Sequence, residues 1–132
     1  MTKKYERKDW HQSPDKRKRL GVKGEDIACS YLERQGFEVL ERNVRFSFGE
    51  LDIVARDNKH LIFIEVKTRS SDKFGRPSLA LTSKKQRTIR NLAQCYIRTH
   101  KKYSSLSPRI DVIELLFQSD GEMLINHIFG AF

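Results

Sequence analysis

Gly49-Glu50-Leu51-Asp52-Ile53-Val54-Ala55, then Asp57-Asn58-Lys59-His60, then Leu61-Ile62-Phe63-Ile64-Glu65-Val66-Lys67-Thr68-Arg69: the fold is built around this stretch. The first run alternates, the second is almost wholly β-branched or aromatic up to Glu65, and a polar turn separates them. The pattern predicts a β-hairpin whose second strand is central and covered on both faces. An even loop centred on Asn58 and Lys59 pairs residues whose numbers sum to 117, so Asp52 falls opposite Glu65 and Glu50 opposite Lys67, all on one face. Opposed Cβ atoms lie roughly 5 Å apart, and two carboxylates at about that distance repel by roughly 3 kcal/mol at an effective dielectric near 20. Folding alone supplies no reason for that pair. A hard divalent cation does, because Mg2+ takes one or two carboxylates together with waters and phosphate oxygens. Lys67 projects toward the same place, which completes a constellation suited to phosphodiester cleavage. The competing explanation is an ion-pair cluster on a solvated sheet face. Against it, the acids sit within apolar strands, where unpaired Asp and Glu are rarely tolerated, and three acids face one base.

Upstream of the hairpin, Leu20, Gly24, Ile27, Ala28, Tyr31 and Leu32 recur at helical spacing between Asp15 and Gln35, and Gly36 supplies the stop. Glu25 lies at the edge of that apolar stripe, from which it could reach the sheet as a third acid; an exposed helix glutamate is the ordinary alternative. Phe37 to Arg45 predicts a first strand. Residues 1–14 read as a flexible basic arm and residues 15–132 as a single domain.

Downstream, Ser70 to Ser78 is a loop by composition, with Arg69, Lys73 and Arg76 placed where a phosphate backbone could pass. Thr82 or Ser83 caps a second helix running to about His100, its stripe formed by Ile89, Leu92, Ala93, Tyr96 and Ile97. On that helix Lys85 and the amide of Gln86 point toward the sheet's acidic edge. Arg109 to Phe117 and Met123 to Phe129 form a second hairpin around Ser119-Asp120-Gly121. The order of strand, helix and strand between Leu61 and Leu115 implies a parallel crossover.

The net charge of +9 is unevenly spread. Residues 1–23 carry nine Lys or Arg against Glu6, Asp9 and Asp15, and residues 84–102 carry Lys84, Lys85, Arg87, Arg90, Arg98, Lys101 and Lys102 with no acid. Basic segments around an acidic core suit a polyanion partner, DNA first, with RNA left open. A solvated helix face plus a tail is the plainer alternative. No apolar run reaches the roughly 18 residues of a membrane span, and no apolar stretch follows the basic start, so the expected compartment is the cytoplasm. Cys29 and Cys95 read as buried thiols and the four histidines as surface or turn residues, with no zinc spacing among them.

The element order resembles that of the restriction-endonuclease-like fold, a mixed α/β sheet in the order α-β-β-β-α-β-β, whose superfamily pattern is Pro-Asp followed by Asp/Glu-x-Lys. More narrowly, Gly24-Glu25, Gly36, Arg42-Asn43, Gly49-Glu50-Leu51-Asp52, Glu65-Val66-Lys67-Thr68-Arg69, Phe74-Gly75, Pro77, Lys85 and Ile110-Asp111-Val112 resemble the YraN-type family, small bacterial proteins related by fold to archaeal Holliday-junction resolvases. The resemblance covers residues 20–132. It implies that Asp52 and Glu65 ligate Mg2+ or Mn2+, that Glu25 completes the site, and that Lys67 orients the attacking water or steadies the phosphorane. Leu51 stands where the superfamily has proline, and the pattern leaves Glu50 without a role. Catalysis is thus expected from Glu25, Asp52, Glu65 and Lys67. Nucleic-acid contact is expected from Arg69, Lys73, Arg76, Lys84, Lys85, Gln86, Arg87 and Arg90. Two functions follow: a Mg2+-dependent DNA endonuclease acting on branched or damaged structures, or a non-catalytic nucleic-acid- or partner-binding protein on a nuclease-like fold. Symmetric cutting of a junction would need a homodimer.

Overall fold

The Asp57 carboxylate closes the central hairpin: Oδ1 accepts the backbone N–H of Lys59 at 2.8 Å and of His60 at 2.6 Å, while the N–H of Asp57 reaches the His60 carbonyl at 3.1 Å. Such an Asx turn fixes loop length and therefore register. Ile53 pairs with Ile64, Val54 with Phe63, Ala55 with Ile62 and Arg56 with Leu61, as the sum rule requires. The computed structural model describes residues 2–6, 16–70 and 81–132, with side chains from residue 24 onward. Its elements are β1 (Thr2–Glu6), α1 (Lys16–Arg34), β2 (Glu38–Phe46), β3 (Gly49–Arg56), β4 (His60–Ser70), α2 (Ser83–Thr99), β5 (Ser107–Phe117) and β6 (Glu122–Ile128).

One six-stranded mixed sheet results, ordered β1-β6-β5-β4-β3-β2. The β4–β5 pair is parallel and the other pairs antiparallel. From α1 onward the order is the expected α-β-β-β-α-β-β of a restriction-endonuclease-like core. The helices cover opposite faces. Ala28, Tyr31 and Leu32 of α1 pack with Ile53, Ile62, Ile64, Ile113 and Leu115, while Ile89, Leu92, Ala93 and Tyr96 of α2 pack with Val54, Leu61, Phe63 and Ile110. β4 is thereby buried on both sides, and each such side chain contributes roughly 1.5–3 kcal/mol. Thr82 caps α2 by accepting the Lys85 N–H at 3.1 Å, and Gly36 ends α1 with φ +95°.

Two expectations fail here. Residues 2–6 do not form a flexible arm: they make β1, pairing with β6 from Thr2↔Asn126 to Glu6↔Glu122, because the outer edge of β6 offers unpaired backbone groups that an extended segment satisfies. The remainder of the proposed arm, 7–14, lies outside the described residues. His127 is not a surface residue but 1% exposed, held between the Tyr31 hydroxyl at Nδ1 and Asp111 Oδ2 at Nε2, each at 2.8 Å. Asp111 is itself kept ionised, its carboxyl lowered against the cost of burial by His127, Arg109 and the Gly130 N–H.

Candidate metal centre

The β3–β4 pairing ends at Ile53/Ile64, and the reason is Asp52. Continuing the register would give the Val66 N–H to Leu51; instead Asp52 Oδ2 accepts it at 2.9 Å. Alternation fails at the same point. Ile53 and Ala55 pack in the α1 cluster, yet Leu51 and Val54 pack in the α2 cluster, so β3 twists between Leu51 and Ile53. On the neighbouring strand Asn43 takes φ +53°, a left-handed conformation that asparagine tolerates better than most residues, and Val39/Glu41 mark a register shift. β3 and β4 thus part beside Asp52 while β2 stays paired to β3, and Glu25 of α1 and Lys85 of α2 come up to the gap.

Glycines set the approach. A Cβ on Gly24 would collide with the Thr68 side chain of β4, and one on Gly49 would stand 3.1 Å from Leu92 and 3.3 Å from Thr88 of α2. Each precedes a glutamate of the site, so both Gly-Glu pairs carry an acid in on closely apposed backbone. Glu25, Glu50 and Asp52 then offer carboxylate oxygens within 4.8 Å of one another. Glu65 joins through a hydrogen bond to Asp52, and Lys85 Nζ lies 3.4 Å from Glu65 Oε1.

Electrostatics report the crowding. Burial, then the Asp52 charge, raises the Glu65 carboxyl to about 7, with Lys85 opposing. Burial raises Asp52 too, against the Val66 N–H and Lys85. Glu25 is raised by burial and by Asp52, while Asn43 and Arg42 pull it down. Burial and the neighbouring Arg69 lower Lys67, so its ammonium is less favoured there than in water. Arg45 reaches Glu50 at 3.0 Å, and Arg42 is engaged chiefly by Asp26 at 2.7 Å, with Glu25 at 3.9 Å. Three carboxylates converging within 4.8 Å, two of them, Glu25 and Asp52, pushed toward protonation by burial, are hard oxygen donors of the kind a divalent cation such as Mg2+ takes.

The structure thus brings together Glu25, Asp52 and Glu65, and adds Glu50. Glu50 was expected opposite Lys67; it turns to Arg45, Glu25 and Asp52 because the ladder has already opened. The Gln86 amide does not reach the acids but donates to the Leu81 carbonyl at 3.1 Å, tied down as part of the helix start. Lys84, Lys85, Arg87 and Arg90 are exposed on α2. Arg69 is partly exposed, with Nε 3.8 Å from the fully buried Glu114 Oε2, and neither atom has a hydrogen-bond partner among the described residues. Lys73 and Arg76 lie outside the described residues. Asn43, hydrogen-bonded to Glu25, was given no part in the site by the sequence reading, and Glu50 was placed on the site's face without a role; what marks Asn43 in the pattern is a turn-former set inside a strand.

Together these features define a small mixed α+β domain with a carboxylate cluster in an opened hairpin. The model for UPF0102, described as an uncharacterised protein family, matches residues 24–115, and the chain belongs to this family. A UPF0102 protein of Geobacter metallireducens is 47% identical over 116 residues, covering 87% of this chain and 93% of its own. A UPF0102 protein of Syntrophotalea carbinolica is 48% identical over 113 residues, covering 86% and 90%. A solved structure of a protein of unknown function aligns with 69% of this chain and 45% of its own at 23% identity and a TM-score of 0.37, too remote a likeness to bear on function. Among the described residues, no helix is long and apolar enough to cross a membrane.

Proposed function

We propose that this protein is a Mg2+- or Mn2+-dependent DNA endonuclease that hydrolyses phosphodiester bonds, with branched or damaged DNA as the substrate class. The observation that carries the reading is the convergence of Glu25, Glu50 and Asp52 within 4.8 Å where the hairpin opens. That opening exchanges a ladder hydrogen bond for the contact from the Val66 N–H to Asp52 and places like charges together, a repulsion that folding alone does not require. A bound divalent ion would activate water and neutralise charge on the phosphate. Glu25, Glu50 and Asp52 would hold it, with Glu65 beside them once its proton leaves.

Lys67 would donate to the attacking water or to a non-bridging phosphate oxygen. Its partial burial favours that role, since a cation partly withdrawn from water acts on a phosphate oxygen with less screening than a solvated one. Lys84, Lys85, Arg87 and Arg90 would meet the phosphate backbone, Lys85 swinging from Glu65 to the anion once the acids are neutralised by metal. Two-fold cutting of a junction would call for a homodimer.

The test is cleavage by purified protein of labelled duplex, single-stranded, flapped and four-way DNA, with Mg2+ or with chelator. The expected result is metal-dependent cutting of at least one form, reduced by about 100-fold or more in Lys67→Ala, as for loss of one electrostatic stabiliser. Undiminished cutting by Lys67→Ala removes the lysine from the mechanism. Absence of cutting on every form supports the second reading, a binding protein on an inherited nuclease fold, which the basic face of α2 alone would serve.

A further inference from the structure

Two residues before Glu65 on β4, Phe63 floors a cleft of about 320 Å3 between α2 and β5, a size at the low end for small-molecule sites. Ala93, Ile97 and Ile110 complete the floor; Arg90, Gln94 and Phe132 stand at its rim. We propose that this cleft receives an unpaired nucleobase from the strand whose backbone crosses the candidate metal centre, so that the preferred substrate carries an extrahelical or single-stranded base beside the scissile phosphate. The inference rests on the nuclease reading and narrows it.

The chemistry of the walls selects the ligand. Phe63, Ala93 and Ile110 are 0%, 5% and 8% exposed, so the floor is closely packed and apolar, as suits the face of an aromatic ring. The Arg90 guanidinium lies 5.5 Å from the centre of the Phe132 ring, and both groups are planar surfaces of the kind on which bases stack. Gln94 adds an amide with donor and acceptor, able to meet a base edge. Arg109, the other arginine of the lining, is held by Asp111 at 2.9 and 3.0 Å and lies under Phe129. Arg90 has no acidic partner among the described residues, and from Lys84 to Lys102 the chain offers no acid at all. A neutral apolar ligand would leave that cation without a counter-charge, whereas a nucleotide supplies an aromatic ring and a negative charge together.

Position agrees. Strand rise puts Phe63 about 7 Å from Glu65 on the same face, and helix rise puts Gln94 about 14 Å along α2 from Lys85. A base in the cleft therefore belongs to a nucleotide next to, or one removed from, a phosphate at the acids. A fully paired duplex cannot deliver that base without unstacking it, which costs a few kcal/mol; a bulge, flap or branch delivers it already free.

The experiment measures affinity for a blunt duplex and for the same duplex with one unpaired base, using the full-length protein with Ca2+ in place of Mg2+ so that the strands stay whole. The bulged DNA is expected to bind at least about fivefold tighter, the lower end for one stacked base. Gln94→Ala should melt near wild type and Phe132→Ala somewhat below it, since that ring packs against the core on the α2 side, and each should keep the duplex affinity and bring the ratio toward one. Equal affinity of the wild type for both DNAs overturns the base cleft while leaving the nuclease reading standing. A bulge preference retained in both variants places the discrimination elsewhere, in DNA bending, and also overturns it. No binding of either DNA at low salt overturns the nuclease reading, and the cleft assignment with it.

Discussion

A carboxylic acid buried beside a carboxylate keeps its proton to a higher pH, and Glu65 does so next to Asp52, with its carboxyl raised to about 7. The sign of the stability effect follows. Between the unfolded glutamate value of about 4.3 and the folded value, the native state holds a proton that the unfolded chain has lost, so the contribution of Glu65 is fullest below that window and fades as pH rises through about 7. Metal-free protein should therefore melt at progressively lower temperature from about pH 5 to about pH 8 on account of this group. In Glu65→Gln that decline should flatten, and the variant should exceed wild type at about pH 8 by roughly 1 kcal/mol, several degrees for a domain of this size. Melting curves by circular dichroism at three pH values measure both. A Glu65→Gln protein melting well below wild type at the alkaline end would instead make Glu65 a structural partner of Lys85. Millimolar Mg2+ should reverse the trend in wild type, because ligation expels the shared proton and the metal-induced rise in Tm grows with pH.

At the level of single elements, the opened hairpin depends on how closely α1 and α2 approach it. Gly24→Ala must displace Thr68 or push α1 outward, and should cost about 1–3 kcal/mol while drawing Glu25 away from Asp52. Chemical denaturation gives the first quantity, and weakened Mg2+ stabilisation the second; an unperturbed variant would show that the Thr68 side chain yields freely. For α2, triple replacement of Lys84, Arg87 and Arg90 by alanine should flatten the dependence of log affinity on log salt by about 0.9 for each duplex phosphate that is no longer neutralised. A slope that does not change would remove α2 from the interface. The hairpin register was readable from the sequence because Asp57 and a four-residue polar turn leave few options, and the two helices because their stripes repeat cleanly. The position of Glu50 was not. A flat ladder sets it against Lys67, whereas the real strands twist and part at Asp52, an event set by tertiary packing that no local pattern encodes. His127 was misplaced for a similar reason: its burial depends on Asp111 and Tyr31, 16 and 96 residues away.

For the molecule as a whole, the fold came from periodicity and element order, but the edge strand β1 did not, since Thr2–Glu6 is polar and is held there by backbone pairing with β6. Membership of UPF0102 agrees with the architecture and carries no activity with it, so the functional reading stands on the acids. It requires that Glu25, Glu50, Asp52 and Glu65 converge in order to hold a divalent ion. Calorimetric titration of metal-free protein with Mn2+ at neutral pH decides whether they do. Saturable binding with release of protons is expected, unchanged in Lys67→Ala and lost in Asp52→Asn although that variant folds. Binding of equal strength in Asp52→Asn, or no binding to the wild type, would refute the metal centre.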